Sequence, residues 1–228
     1  MRQLLVPGLA LACLGGLAAA GSPPPRATAS VTGTITVMDK GDRPAEDVGQ
    51  AVIWLETEGP VEIETRGSDM VTESKQFLPH VLVIAAGSNV SFPNHDPFNH
   101  NVFSLSEAGR FDLGLYGRGE GKSHRFDDTG IVRVYCNVHA TMGGFILVRD
   151  NPYYTQPSAD GSFTIAGVPP GNYTLRAWHE RTKSLSRSVY VTESGLTKLV
   201  LELDARGYSF KPHLNKFGQP YTRQGSRY

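Results

Sequence analysis

Sulfur is scarce in this chain. Two cysteines, Cys13 and Cys136, and four methionines occur in 228 residues. So few methionines argue against a methionine-rich metal-delivery protein, and a two-metal cysteine site would need a second cysteine beside Cys136. Net charge is also absent: 22 basic residues balance 22 acidic ones. No global field therefore draws the chain to nucleic acid or to acidic substrates. Beyond residue 20 no apolar run is long enough for a membrane span of roughly 20 residues. No long stretch carries helical periodicity, and no His-x-His pair occurs.

What is present begins at the amino terminus. Met1-Arg2, an apolar run from Leu4 to Leu17 and the small residues Ala18-Ala19-Ala20 have the layout of a secretory signal peptide, cleaved near Ala20. The expectation is export to a periplasmic or extracellular space, with residues 21–30 as an extended, proline-rich leader. Cys13 leaves with the signal peptide. Its alternative, lipid attachment, fits poorly after Ala10-Leu11-Ala12. Cys136 is then a solitary thiol in an oxidising compartment, a liability unless something occupies it. A buried inert thiol is the plain alternative.

Short β-branched and aromatic segments separated by turn residues predict an all-β fold of sandwiches. Candidate strands are 31–38, 51–56, 80–85, 89–93, 131–136, 144–148, 162–165, 172–178, 186–192 and 197–203. Turns fall at Gly59-Pro60, Ala86-Gly87-Ser88, Asp160-Gly161 and Pro169-Pro170-Gly171. Residues 205–228 form a tail with five basic residues, five aromatics and no acid. It reads either as a docking element for an acidic partner or as a terminus whose aromatics pack back on the body.

The chemistry concentrates in Cys136-Asn137-Val138-His139-Ala140-Thr141-Met142. A thiolate, an imidazole and a thioether within seven residues are soft donors of the kind copper prefers in both oxidation states. The strand ending at Cys136 and the Gly143-Gly144 turn force the three towards one point. His100, from another strand end, supplies the second imidazole. Asn101, Asn94 and Asp96 are candidates for orienting the ligand loops, and Phe98, Phe103 and Met142 for keeping water out. His139 is the expected exposed edge for electron entry. His80, His95, His124, His179 and His213 lack ligand-spaced neighbours and are assigned structural or solvated roles.

The segment Asn94–Phe103, the strand ending at Tyr135-Cys136 and the Cys-x-x-His spacing resemble the cupredoxin family over roughly Phe77–Val148. The resemblance implies a Greek-key sandwich holding one type 1 (blue) copper ion, with His100, Cys136 and His139 as strong ligands and Met142 as the weak axial one. In the small carriers of that family more residues usually separate the second histidine from the methionine. Here only Ala140 and Thr141 intervene, so the axial place stays open between Met142, a backbone carbonyl, a carboxylate and no ligand. Tyr135 and Asn137 flank the cysteine where the multicopper enzymes carry histidine. That leaves a mononuclear electron carrier, not an enzyme, with protein redox partners.

A second resemblance lies in Asp160-Gly161 and in Pro169-Pro170-Gly171 before Tyr173. These residues are similar to the carboxypeptidase regulatory-like, transthyretin-like β-sandwich. Its opening strands match Val31–Val37 and Ala51–Leu55. The resulting division is 31–58 with 149–204 for this discontinuous module and 59–148 for an inserted copper domain. Two consecutive domains are the alternative. Two rival functions stand beside electron transfer. One is copper binding and delivery. The other is a binding module with a structural or altered, red-type copper, in which Trp54, Trp178 and Tyr153-Tyr154 would line a ligand surface.

Overall fold

The computed structural model describes residues 28–59 and 61–221. The signal peptide expected at 1–20, with Cys13, lies outside the described residues, as do most of the leader and residues 222–228. Apart from one 3-10 turn, Val48–Gln50, every regular element is a strand. Among the described residues no helix is long and apolar enough to cross a membrane.

Four sheets form two sandwiches. In the outer one, strand Ala29–Asp39 lies between Ser162–Val168, antiparallel to it, and Leu196–Asp204, parallel to it. The facing sheet runs Tyr154–Thr155, Val52–Glu56, Gly171–Trp178, Leu185–Val191. Strand Val52–Glu56 thus pairs with residues 174–178 and 153–155, on the far side of a hundred-residue excursion. Alternate residues drive the assembly: Val31, Ile35 and Val37 meet Ile53, Leu55, Ile165, Leu175 and Leu201 in one core.

The inner sandwich is built from the excursion. One sheet runs Gly109–Tyr116, His100–Ser106, Gly130–Cys136, Gly143–Arg149, Val81–Ala85. The other runs Gly119–Phe126, Ser88–Asn94, Val71–Glu73, Gln76–Leu78. Phe77, Phe92, Val102, Phe126, Val134 and Ile146 fill the space between them, together with Cys136 and Met142.

Some strands bury both faces. Ile146 faces the inner core, while its neighbour Leu147 joins Val52, Trp54, Val81 and Trp178 in a third cluster between the sandwiches. Phe145 meets Trp178 edge-on at 5.1 Å, and the Arg149 guanidinium stacks over Trp54 at 4.7 Å. The His80 ring lies 2.8 Å from the Glu180 carboxylate across the same seam. The two tryptophans are therefore buried seam residues and do not line the open ligand surface that the binding-module rival needs. Truncating a buried tryptophan costs about 3–5 kcal/mol, a scale that puts the seam among the strong contacts of the fold.

His179 follows strand Gly171–Trp178 and is fully buried. Its Nδ1 accepts the Arg181 backbone N–H at 3.3 Å, and its Nε2 lies 3.6 Å from Asp47, beyond hydrogen-bond reach. Burial, with the Arg181 charge beside it, lowers its pKa against the opposing pull of Asp47. A folded-state pKa below the unfolded value of about 6.5 means stability that is present above that pH and lost as pH falls through it. The melting temperature is expected to drop between pH 7 and pH 5 more steeply in the native protein than in His179→Gln. Parallel melting curves over that interval would remove the assignment.

Candidate metal centre

Strand Gly130–Cys136 alternates as its sequence dictates. Val132, Val134 and Cys136 point into the core, while Arg133 is exposed and Tyr135 half-buried on the other face. The loop that follows is closed at its base. The Cys136 N–H donates to the Met142 carbonyl at 3.1 Å, and the Met142 N–H to the His139 carbonyl at 3.0 Å. The Asn137 N–H donates to the Asn101 carbonyl at 2.9 Å, which zips the loop to the strand that begins at His100.

These constraints bring His100, Cys136 and His139 together, with one donor atom from each within 4.8 Å of the others. His100 Nδ1 lies 3.5 Å from the Cys136 sulfur, and His139 Nδ1 lies 3.6 Å from it. Nitrogen and sulfur donors bound to one small ion at roughly 2.0–2.3 Å sit about 3–4 Å apart, so the spacing fits a single shared ion. Among the described residues this is the one such group of three or more ligand-type side chains.

The groups behind the donors fix their orientation. His100 Nε2 lies 2.8 Å from Asp96 Oδ2, and in the neutral ring donation to that carboxylate makes Nδ1, which faces the sulfur, the acceptor. Asp96 also accepts the backbone N–H groups of Ser74 at 2.8 Å and Lys75 at 3.0 Å. Burial alone would raise its pKa, but these donors and His100 outweigh it and hold the carboxyl below its ordinary value. Asn94 stands one step further out. Its Oδ1 accepts the Asp96 N–H at 2.9 Å, and its amide donates to the Phe98 carbonyl at 2.9 Å. Asn101 acts through its backbone N–H, which donates to the sulfur, while its side chain donates to Asp112 at 2.6 Å.

The sulfur is 0% exposed and also receives the backbone N–H groups of Val138 and His139. Burial pushes the Cys136 thiol pKa up against those three donors. A bare thiolate is disfavoured here, and a cation is the group that would stabilise it. Met142 is buried in the apolar cluster that contains Cys136. Phe98 meets both rings edge-on, His100 at 5.3 Å and His139 at 5.5 Å. Phe103 is fully buried beneath Tyr135.

Solved structures similar to part of this chain include a copper-containing nitrite reductase, amicyanin and a purple cupredoxin. A copper-containing nitrite reductase from Thermus scotoductus SA-01 is 26% identical over 40% of this chain, with a TM-score of 0.35. The chain spans a quarter of that protein's length. Amicyanin from Paracoccus versutus is 21% identical over 42% of this chain and 97% of its own, at a TM-score of 0.34. A purple cupredoxin from Nitrosopumilus maritimus is 19% identical over 51% of this chain and 99% of its own, at 0.31. The family described as polysaccharide lyase family 4, domain II, matches residues 140–199. No curated protein matches the chain.

One feature of the centre departs from what the sequence predicts. His139 was expected to offer an exposed edge, but its Nε2 is buried and has no hydrogen-bond partner among the described residues. The rings packed against it are Phe98, edge-on at 5.5 Å, and His100 at 5.0 Å. The tail, as far as Tyr221, packs against the ligand loop through His213, Lys216 and Tyr221. Its basic and aromatic composition was a visible signal, but composition does not say where a tail lands. Of the remaining histidines, His80 lies in the seam, His124 stacks on Phe111 at 4.5 Å, His179 is buried and His95 is exposed.

Proposed function

We propose that this chain is an exported electron carrier with one type 1 copper ion held by His100, Cys136 and His139 and, axially, by Met142. The observation that supports this best is the pair of Nδ1 atoms, at 3.5 and 3.6 Å from one buried sulfur, with Asp96 fixing the tautomer of His100. Copper bound there would supply a one-electron couple between Cu(II) and Cu(I). The residues do the rest. His100 and His139 each turn Nδ1 towards the sulfur, Asn101, Val138 and His139 direct N–H groups at it, and Phe98 and Met142 exclude water, one of the levers on a redox potential.

Residues 31–58 with 149–204 serve in this reading as one transthyretin-like scaffold, and 59–148 as the copper domain set into it. The partners are redox proteins in a periplasmic or extracellular space, met in part through the basic, aromatic tail. Delivery of copper is the weaker reading, because a receiving protein must reach a cysteine that is 0% exposed.

Optical spectra and a redox titration of the copper-loaded protein, beside Met142→Leu, test the proposal. The oxidised form is expected to absorb intensely in the visible and to bleach on reduction. Met142→Leu should shift both the band and the midpoint potential. A colourless Cu(II) form would sink the carrier reading, and an unchanged spectrum and potential in Met142→Leu would remove the axial assignment.

A further inference from the structure

The segment after the last strand has no regular secondary structure, yet it takes a defined course over the ligand loop. The Tyr221 hydroxyl donates to the Cys136 carbonyl at 2.8 Å. The Lys216 N–H donates to the Asn137 side-chain oxygen at 2.9 Å. His213 Nε2 lies 3.3 Å from the His139 carbonyl oxygen. The Lys216 ammonium is 2.7 Å from Asp112, the carboxylate that also receives the Asn101 amide. The His213 ring stacks on Tyr135 at 4.2 Å and meets Tyr221 edge-on at 5.3 Å.

The segment also builds its own shape. Asn215 Oδ1 accepts the N–H groups of Phe217 at 2.9 Å and Gln219 at 3.0 Å. Gly218, at φ +75°, takes the left-handed conformation that the turn requires. Its residues sort by side. His213, Asn215, Lys216 and Tyr221 are half-buried towards the loop, whereas Phe210, Leu214 and Phe217 are exposed. Three of the four polar contacts fall on Cys136, Asn137 and His139, two of which carry the proposed donors.

We propose that residues 208–221 are a latch on the ligand loop, which must lift before the Cys136 sulfur can be reached or a bound ion can leave. The proposal rests on the metal site described above. Opening the loop alone breaks its two closing backbone hydrogen bonds, Cys136 to Met142 and Met142 to His139. The latch adds contacts to the outer faces of the same residues, so the opening equilibrium carries both sets. His213 and Tyr221 are then positioning residues that act through the loop.

The full-length chain, Tyr221→Phe and the double variant His213→Ala/Tyr221→Phe test this with two readouts. One is the rate at which the metal-free Cys136 thiol reacts with a small aromatic disulfide reagent. The other is the rate at which excess EDTA strips Cu(II) from the loaded protein. Both rates are expected to rise about fivefold in Tyr221→Phe, the scale of one lost hydrogen bond, and at least tenfold in the double variant, with unchanged far-ultraviolet dichroism. Unchanged thiol and copper-loss rates in the double variant would overturn the latch. If no variant or native protein takes up copper stoichiometrically, the metal reading fails instead, and the thiol rates still decide the latch.

Discussion

Cys136→Ser is expected to bind copper at least about a thousandfold more weakly than the native chain and to show no intense visible band when loaded. Loss of a group that merely orients a ligand costs 10–100-fold in affinity, and the thiolate is the ligand itself. A serine hydroxyl does not ionise near neutral pH and offers a hard oxygen in place of a soft sulfur. The fold should survive the change. The replaced sulfur already receives N–H groups from Asn101, Val138 and His139, and an oxygen can accept them too. Equilibrium competition for copper, an optical spectrum and a thermal melt make the comparison. Native affinity and native colour in Cys136→Ser would show that the sulfur is not a ligand.

Gly121→Ala should be strongly destabilising although it touches no donor. Gly121 lies in the bulge where the pairing of strand Gly119–Phe126 with Ser88–Asn94 shifts register. Its φ is +75°, and an added Cβ would sit 1.8 Å from the Phe92 carbonyl oxygen and 2.9 Å from the Pro93 Cα. Both obstacles are backbone, so no side chain can swing aside. The Phe92 carbonyl is held from another direction as well, by the Tyr116 hydroxyl at 3.0 Å. Left-handed strain and a forced strand separation together cost on the order of 3–5 kcal/mol. The displaced strand ends at Asn94, which anchors the Asp96 loop, so copper affinity should fall in parallel. Chemical denaturation of Gly121→Ala beside Gly67→Ala isolates the effect. Gly67 has nothing within 4 Å of its Cβ position, and its replacement should stay within about 0.5 kcal/mol of native. A Gly121→Ala midpoint equal to that control would refute the steric argument.

The strands that the sequence announces are those with a buried alternating face. Ile131–Cys136 and Asn172–Trp178 are of that kind, and the all-β sandwich architecture follows from them. Strand Gly119–Phe126 was not legible. Its residues Gly-Glu-Gly-Lys-Ser-His-Arg-Phe are nearly all exposed, and backbone pairing with Ser88–Asn94 holds it in place. The hairpin Val71–Glu73 and Gln76–Leu78 escaped for a related reason. Ser74 and Lys75 turn it at φ +53° and +59° with neither glycine nor asparagine to mark the turn. That hairpin matters to the site, because its two turn N–H groups fix Asp96. The meeting of His100, Cys136 and His139 was legible, because a short loop after a strand end leaves Cys136 and His139 little room to separate. The course of the tail over the ligand loop was not, because no local pattern encodes where a strandless tail comes to rest.

Strand Val52–Glu56 pairs with Tyr154 and Thr155 across about a hundred residues. For an unstructured chain, bringing those ends together costs an entropy equivalent to about 4 kcal/mol. The inner sandwich removes most of that cost, because its folding holds the two ends side by side. During synthesis every candidate donor emerges by residue 142, whereas the strand that closes the outer sandwich, Leu196–Asp204, follows some fifty residues later and residues 208–221 after it. The order of emergence therefore leaves an interval in which the donors are assembled but still open, and a metal ion has its freest access to the chain while the carboxy terminus is still on its way.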